Sequence, residues 1–180
     1  MLESLEVHSA TAYPAWPYEW ITATATYAVS PEEPANSRIV DLDLAPRDER
    51  GAVRFEGDVR LLRPVGGGAG RALVVVPNRG MVGGVPFSLD TPLFADPSTA
   101  PAPGDGFLLE QGWTIAWCGW QWDVRREDGW LGLDAPLAAV EPGPLRVEFR
   151  PDADQADHSL SDSSFFFRFA DYPTADLDDP

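Results

Sequence analysis

The stretch DGFLLEQGWTIAWC, Asp105 to Cys118, decides the class of fold. Its first half, Asp105 to Gln111, reads as a short helix, with Asp105 placed to cap the first turn and Gly112 to end the last. Its second half, Thr114 to Cys118, is a short apolar strand. Upstream, Ala72-Leu73-Val74-Val75-Val76 is apolar at every position, the pattern of a strand buried on both faces of a helix-covered sheet. Strand, loop, short helix, strand is a βαβ unit. It predicts parallel pairing of the two strands through a right-handed crossover.

Towards the N-terminus the reading changes to antiparallel sheet. YEWITATATY, Tyr18 to Tyr27, is rich in β-branched and aromatic residues and suits a half-buried strand, and SPEEPANS, Ser30 to Ser37, breaks it. Ile39 to Leu44 alternates, placing Ile39, Asp41 and Asp43 on one face and Val40, Leu42 and Leu44 on the other. After a charged turn at Pro46 to Gly51, Val53 to Leu62 alternates again, with Gly57 a weak point or bulge. Arg63 to Arg71, containing GGGAG, is expected to be a hairpin or crossover loop.

Beyond the first apolar strand, Pro77 to Pro103 is a long loop, of a length that is functional or flexible in compact domains. Leu131 to Val140, Leu145 to Phe149 and Ser164 to Ala170 read as further strands, Asp152 to Asp162 as a polar loop, and ADLDDP at the terminus as lacking a closing strand. The expected class is α/β, strand-rich: an antiparallel meander leading into a parallel βαβ unit, in a single domain over 1–180.

Composition narrows the partners. Of 180 residues, 44% are hydrophobic and 11% aromatic, ample for a core. The 29 acidic residues outnumber 13 basic ones, all arginine, for a net charge of −16. Such a chain repels phosphate backbones and anionic bilayers, which argues against nucleic-acid and membrane partners. The single Cys118 excludes an intrachain disulfide. Met1 to Glu6 lacks the basic and apolar segments of a leader, so a cytoplasmic location is the expectation.

Several segments together resemble a known family. Pro17-Tyr18-Glu19, SPEEPAN, IVDLDLAPRDERGAVRFEGDVRLLRP, PNRG at Pro77 to Gly80, and GFLLEQGWTIAWCGWQWDV at Gly106 to Val124 are similar, in order and spacing, to the N-terminal portion of bacterial α/β-hydrolase domain proteins. The resemblance implies a serine-hydrolase fold acting on an ester or related acyl substrate. It places the nucleophile elbow, acid and histidine farther along than Pro180, so this chain resembles the N-terminal part of such a domain and is expected to be inactive alone. A half-sheet of this kind would expose an edge open to self-association.

Within that resemblance, Asn78, Arg79 and Gly80 follow the buried strand where α/β-hydrolases place the first backbone donor of the oxyanion hole. An ordinary glycine-rich turn explains them equally well. Trp120, Trp122 and Asp123 follow the second strand, where loops line the ligand crevice of open α/β sheets. Burial in the core is the stronger expectation for these tryptophans and Trp117, with Asp123 pairing Arg125 or Arg126 or bracing the neighbouring loop. A non-catalytic module that stacks tryptophans on carbohydrate or another flat ligand is the alternative function.

The remaining motifs point to no catalytic centre. A nucleophile elbow needs G-x-S-x-G, and Ser88, Ser159, Ser161, Ser163 and Ser164 lack flanking glycines. Asp41 and Asp43 suit a solvated sheet face better than an acid–base pair. The acidic residues Asp152, Asp154, Asp157 and Asp162, with His158, do not follow the EF-hand order, and His8 and His158 form no zinc motif. Glycines 66–70 lack the lysine of a phosphate loop and read as a hairpin. No cofactor or metal is expected.

Overall fold

The structure, a computed structural model, describes residues 1–14, 16–83, 89–90, 96–124, 126, 129–141, 148, 150, 153–159 and 174–176. In chain order the strands are β1 (Leu2–Ala12), β2 (Tyr18–Val29), β3 (Val53–Pro64) and β4 (Ala72–Val75), then the helical turn α1 (Phe107–Glu110) and β5 (Thr114–Cys118). Short strands β6 (Leu133–Asp134), β7 (Asp157–Ser159) and β8 (Thr174–Asp176) follow. The result is a strand-rich mixed sheet in the order β1-β2-β3-β5-β4, antiparallel except for the parallel pair β4 and β5. Strands β7 and β8 pair separately. Among the described residues no helix is long and apolar enough to cross a membrane.

Alternation in β2 fills the two sides of the sheet. Tyr18 and Trp20 join Leu62, Leu109, Ile115, Trp117 and Leu131 in one cluster, where the Trp20 and Trp117 rings meet edge to face at 5.5 Å. Ile21, Ala23 and Ala25 pack with Val59 in the other. Polar tips in the first cluster fasten the long loop: Trp20 Nε1 donates to the Ser98 carbonyl (3.1 Å) and the Tyr13 hydroxyl to the Pro101 carbonyl (2.5 Å). The Tyr18 hydroxyl reaches the Trp113 carbonyl beyond α1 at 2.9 Å. The helical turn starts two residues later than expected, with Gly106 and not Asp105 at the N-cap; the Asp105 carboxylate accepts the Phe107 N–H from one residue further out, and Gly112 follows the turn in the left-handed region as expected.

Burial of Tyr13 pushes its hydroxyl pKa up from 10.0 to about 12. A folded value above the unfolded one means that the stability it contributes is whole below pH 10.0 and is lost as pH rises through about 12. Tyr13→Phe leaves the Pro101 carbonyl without its donor and is expected to cost about 1–2 kcal/mol by urea denaturation at neutral pH. The deficit should shrink above pH 10.0; a deficit that grew there would contradict the assignment.

Several expectations are corrected. Ile39 to Leu44 is not a strand. Asp41 turns left-handed (φ 56) and Leu42–Leu44 forms a 3-10 turn, so Asp41 and Asp43 share no sheet face. Neither strand adjoining this segment in sequence has an edge for it, because β2 is flanked by β1 and β3, and β3 by β2 on one side and by β5 and β6 on the other. The place beside β2 is taken by Leu2–Ala12, whose side chains are exposed throughout and gave no burial pattern to read. Gly57 makes no bulge: the β2–β3 register runs unbroken through it, and a Cβ there would stand 3.1 Å from Leu133 Cδ1, so the glycine admits β6.

Strand β4 is not buried on both faces. It ends the strand order; Leu73 and Val75 pack on the first cluster while Val74 is 59% exposed. Glycines 66–70 form a crossover rather than a hairpin, because β5 lies between β3 and β4. Of Leu131 to Val140 only Leu133–Asp134 is strand, and the polar loop and the terminus supply β7 and β8. Most of Leu145 to Phe149 and all of Ser164 to Ala170 lie outside the described residues.

Candidate functional site

Strands β5 and β6 occupy the same edge of β3, against Val59 to Leu62 and against Glu56 and Gly57 respectively. The chain leaves the sheet at Gly119 and returns at Gly132, and Asp58 of β3 closes the gap. The Asp58 carbonyl accepts the Gly119 N–H at 2.8 Å, and its own N–H reaches the Gly132 carbonyl at 3.0 Å. Its carboxylate accepts the Gly132 N–H (3.0 Å) and a bidentate pair from Arg126, both bonds 2.8 Å. Gly119 and Gly132 thus touch across Asp58 and form the closed neck of an Ω-loop. A Cβ on Gly119 would lie 2.5 Å from the Gly132 carbonyl oxygen, so the neck closes only on glycine.

This loop leaves the carboxyl end of β5, and Pro77 to Gly83 leaves the carboxyl end of the parallel neighbour β4. Contacts between described residues join them. Trp120 Nε1 donates to the Pro77 carbonyl (2.6 Å), and the Arg79 N–H donates to Gln121 Oε1 (2.6 Å). The Arg79 guanidinium holds both Asp123 carboxylate oxygens, at 2.8 and 3.1 Å. The Leu131 N–H donates to the Gly80 carbonyl (3.0 Å), and a Cβ on Gly80 would come within 2.7 Å of Leu131 backbone atoms. Arg79 is 7% exposed and sits in the left-handed region (φ 51). That conformation costs a non-glycine residue roughly 1–2 kcal/mol, which the surrounding contacts must offset.

The structure therefore brings together all six residues singled out from sequence: Asn78, Arg79 and Gly80 on one loop, Trp120, Trp122 and Asp123 on the other. Their roles separate. The Arg79 N–H is already committed to Gln121, whereas Asn78 is exposed, and its side-chain amide has no hydrogen bond among the described residues. Asp123 braces the neighbouring loop rather than pairing Arg126, which belongs to Asp58. Trp117 is core, as burial statistics suggest, but Trp120 and Trp122 are 53% and 57% exposed. They lie outside because the loop that carries them turns away from the sheet at Gly119.

Sequence reading missed Asp58, Gln121, Arg126 and Leu131. Only Gly119 and Gly132, small residues bracketing a tryptophan-rich segment, hinted at a closed neck. Among the described residues no group of His, Cys, Asp and Glu is arranged to hold a metal ion; Asp152 and Asp162 lie outside them. Burial pushes the Cys118 thiol pKa up, the opposite of what an activated thiolate nucleophile needs. Comparison with protein-family models, with curated proteins and with solved structures gives no match for this chain.

Proposed function

We propose that the coupled loops at the carboxyl ends of β4 and β5 are the substrate-positioning part of an acyl-hydrolase site of the α/β-hydrolase type. The carrying observation is the Arg79–Asp123 pair, which fixes the Asn78 loop against the Trp120 loop beside the parallel strands. Ligands of open α/β sheets bind at such strand ends. In this reading Asn78 presents a hydrogen-bond donor to an acyl oxygen, Trp120 and Trp122 form an apolar wall, and Arg79 and Asp123 hold the two parts in register. The substrate is a small ester-like molecule.

No serine of this chain stands in a nucleophile elbow, so the hydroxyl that attacks the ester must come from residues beyond this sequence. The outer edge of β4 is where a further strand, or a second copy of the chain, would add. The 180-residue chain is accordingly expected to release no p-nitrophenolate from p-nitrophenyl butyrate and to take no label from a fluorophosphonate probe. Turnover or labelling, traced to a serine by mass spectrometry, would overturn this division of labour.

One observation favours a second reading. The exposure of Trp120 and Trp122, two residues apart on a braced loop, also suits stacking on a sugar ring, and a carbohydrate-binding module without chemistry would use the same surface.

A further inference from the structure

A cavity lies beside the amino-terminal half of β3, next to the tryptophan loop, to which its lining residue Leu133 is joined by an N–H bond to the Gln121 carbonyl (2.9 Å), but none of the six loop residues above lines it. Its volume is about 270 Å³. Val53 and Phe55 of β3 line one side, Ile39 and Leu42 of the turn after β2 another, and Leu133 and Pro136 of β6 and its continuation the third. The walls are tied to each other without a ligand: the Ala139 N–H donates to the Leu44 carbonyl (2.9 Å), and β6 is hydrogen-bonded to β3. The cavity is therefore pre-formed, as small-molecule sites usually are.

One charged residue lines it. Asp41 sits on the rim, and its carboxylate has no hydrogen bond or ion pair among the described residues. The adjoining groove shares Phe55 and Pro136 and carries Glu56 and Asp134, which face each other across β3 and β6. Its one cation, Arg54, is engaged by the carboxylates of Asp48 and Glu3. Arg126, which pairs with Asp58, also acts electrostatically on Glu56 and Asp134, which leaves Asp41 as the lining carboxylate without a cation partner among the described residues, on a chain with a net charge of −16. An anionic amphiphile such as a fatty acid would meet an uncompensated carboxylate at the mouth.

We propose that this cavity binds a small amphiphilic cation, an aryl or alkyl group seated between Phe55, Leu42 and Pro136 with its ammonium on Asp41. An apolar cavity of about 150 Å³ is enough for benzene, so the larger space here admits a ring with a short chain leading out to the carboxylate. This proposal is independent of the hydrolase reading.

The test uses the intact chain and 2-phenylethylammonium, with 3-phenylpropionate as the anionic counterpart of similar shape, followed by amide shifts in two-dimensional NMR. The cation should give saturable shifts confined to residues 39–45, 53–55 and 133–138. The anion should bind at least about tenfold more weakly, and Asp41→Asn, which tolerates the left-handed conformation, should weaken the cation about fivefold, the size expected of a partly exposed charge pair. Ala135→Phe, at an exposed lining position, should fill the space and abolish the shifts. Equal binding of cation and anion, or no effect of Asp41→Asn, would overturn the assignment of Asp41. An absence of saturable shifts would overturn the site.

Discussion

Arg79→Met is expected to destabilise the fold by about 3–5 kcal/mol, because it leaves the Asp123 carboxylate at a largely desolvated site without its counter-charge. The side chains of the pair are 8% and 17% exposed. Methionine keeps most of the apolar stem and meets the same left-handed backbone demand as arginine, so the change removes the guanidinium with little loss of stem packing. The exposed pairs set the contrast. Arg63–Glu19, with side chains 55% and 24% exposed, should yield less than about 1 kcal/mol on the same treatment. The double variant Arg79→Met/Asp123→Leu should recover much of the loss, since what costs most is a lone buried charge rather than the missing attraction. Urea denaturation of the single and double variants gives the coupling energy; a coupling below about 0.5 kcal/mol would mean that the two loops are not held together by this pair.

Gly119→Ala should be of comparable severity, about 3 kcal/mol, at the upper end of overpacking costs. The new Cβ would lie 2.5 Å from the Gly132 carbonyl oxygen and 2.9 Å from its nitrogen and carbonyl carbon, all backbone atoms with no flexible side chain to give way. The neck of the Ω-loop would have to open, and the bonds from Gly119 and Gly132 to Asp58 would lengthen with it. Gly83→Ala is the matched control, since a Cβ there meets nothing within 4 Å and the backbone is not left-handed. That variant should be near neutral or slightly stabilising through the lost freedom of the unfolded chain. Equal midpoints for the two variants would show that the neck is looser than the distances imply.

How much of this could be read from sequence depended on the range of the interaction. Tyr18–Val29, Val53–Pro64 and Thr114–Cys118 were legible because each carries its own burial record along the strand. The parallel pairing of β4 with β5 followed from the intervening helix signal. Ile39 to Leu44 misled because alternation is necessary for a half-buried strand but does not create a free edge to pair with. Leu2–Ala12 was invisible for the complementary reason: an edge strand with all its side chains in solvent needs only backbone hydrogen bonds. The uniformly apolar ALVVV run reads as two-sided burial, yet among the described residues only one of its faces is covered.

The candidate site was legible as a place but not as a mechanism. Strand-end position drew attention to Asn78, Arg79, Gly80, Trp120, Trp122 and Asp123, and the fold gathers them. Sequence could not say that Arg79 would bridge to Asp123, or that its N–H would be claimed by Gln121, because those contacts link residues more than forty positions apart. Nor could it show that Asp58 closes the loop that carries the tryptophans. Had the tryptophans packed inward, as their size favours, the loop would present no exposed indole surface.

The most direct test of the proposed site is a titration of the chain, labelled with ¹⁵N at its tryptophan indoles, with the butyl monoester of methylphosphonic acid. Its tetrahedral, anionic phosphorus centre stands in for an acyl-transfer intermediate. The account predicts saturable shifts of the Trp120 and Trp122 indole resonances, loss of those shifts in Asn78→Ala, and no response to cellohexaose. Silence towards the phosphonate, with shifts of the same two indoles on adding cellohexaose, would contradict it and assign the braced loops to carbohydrate instead.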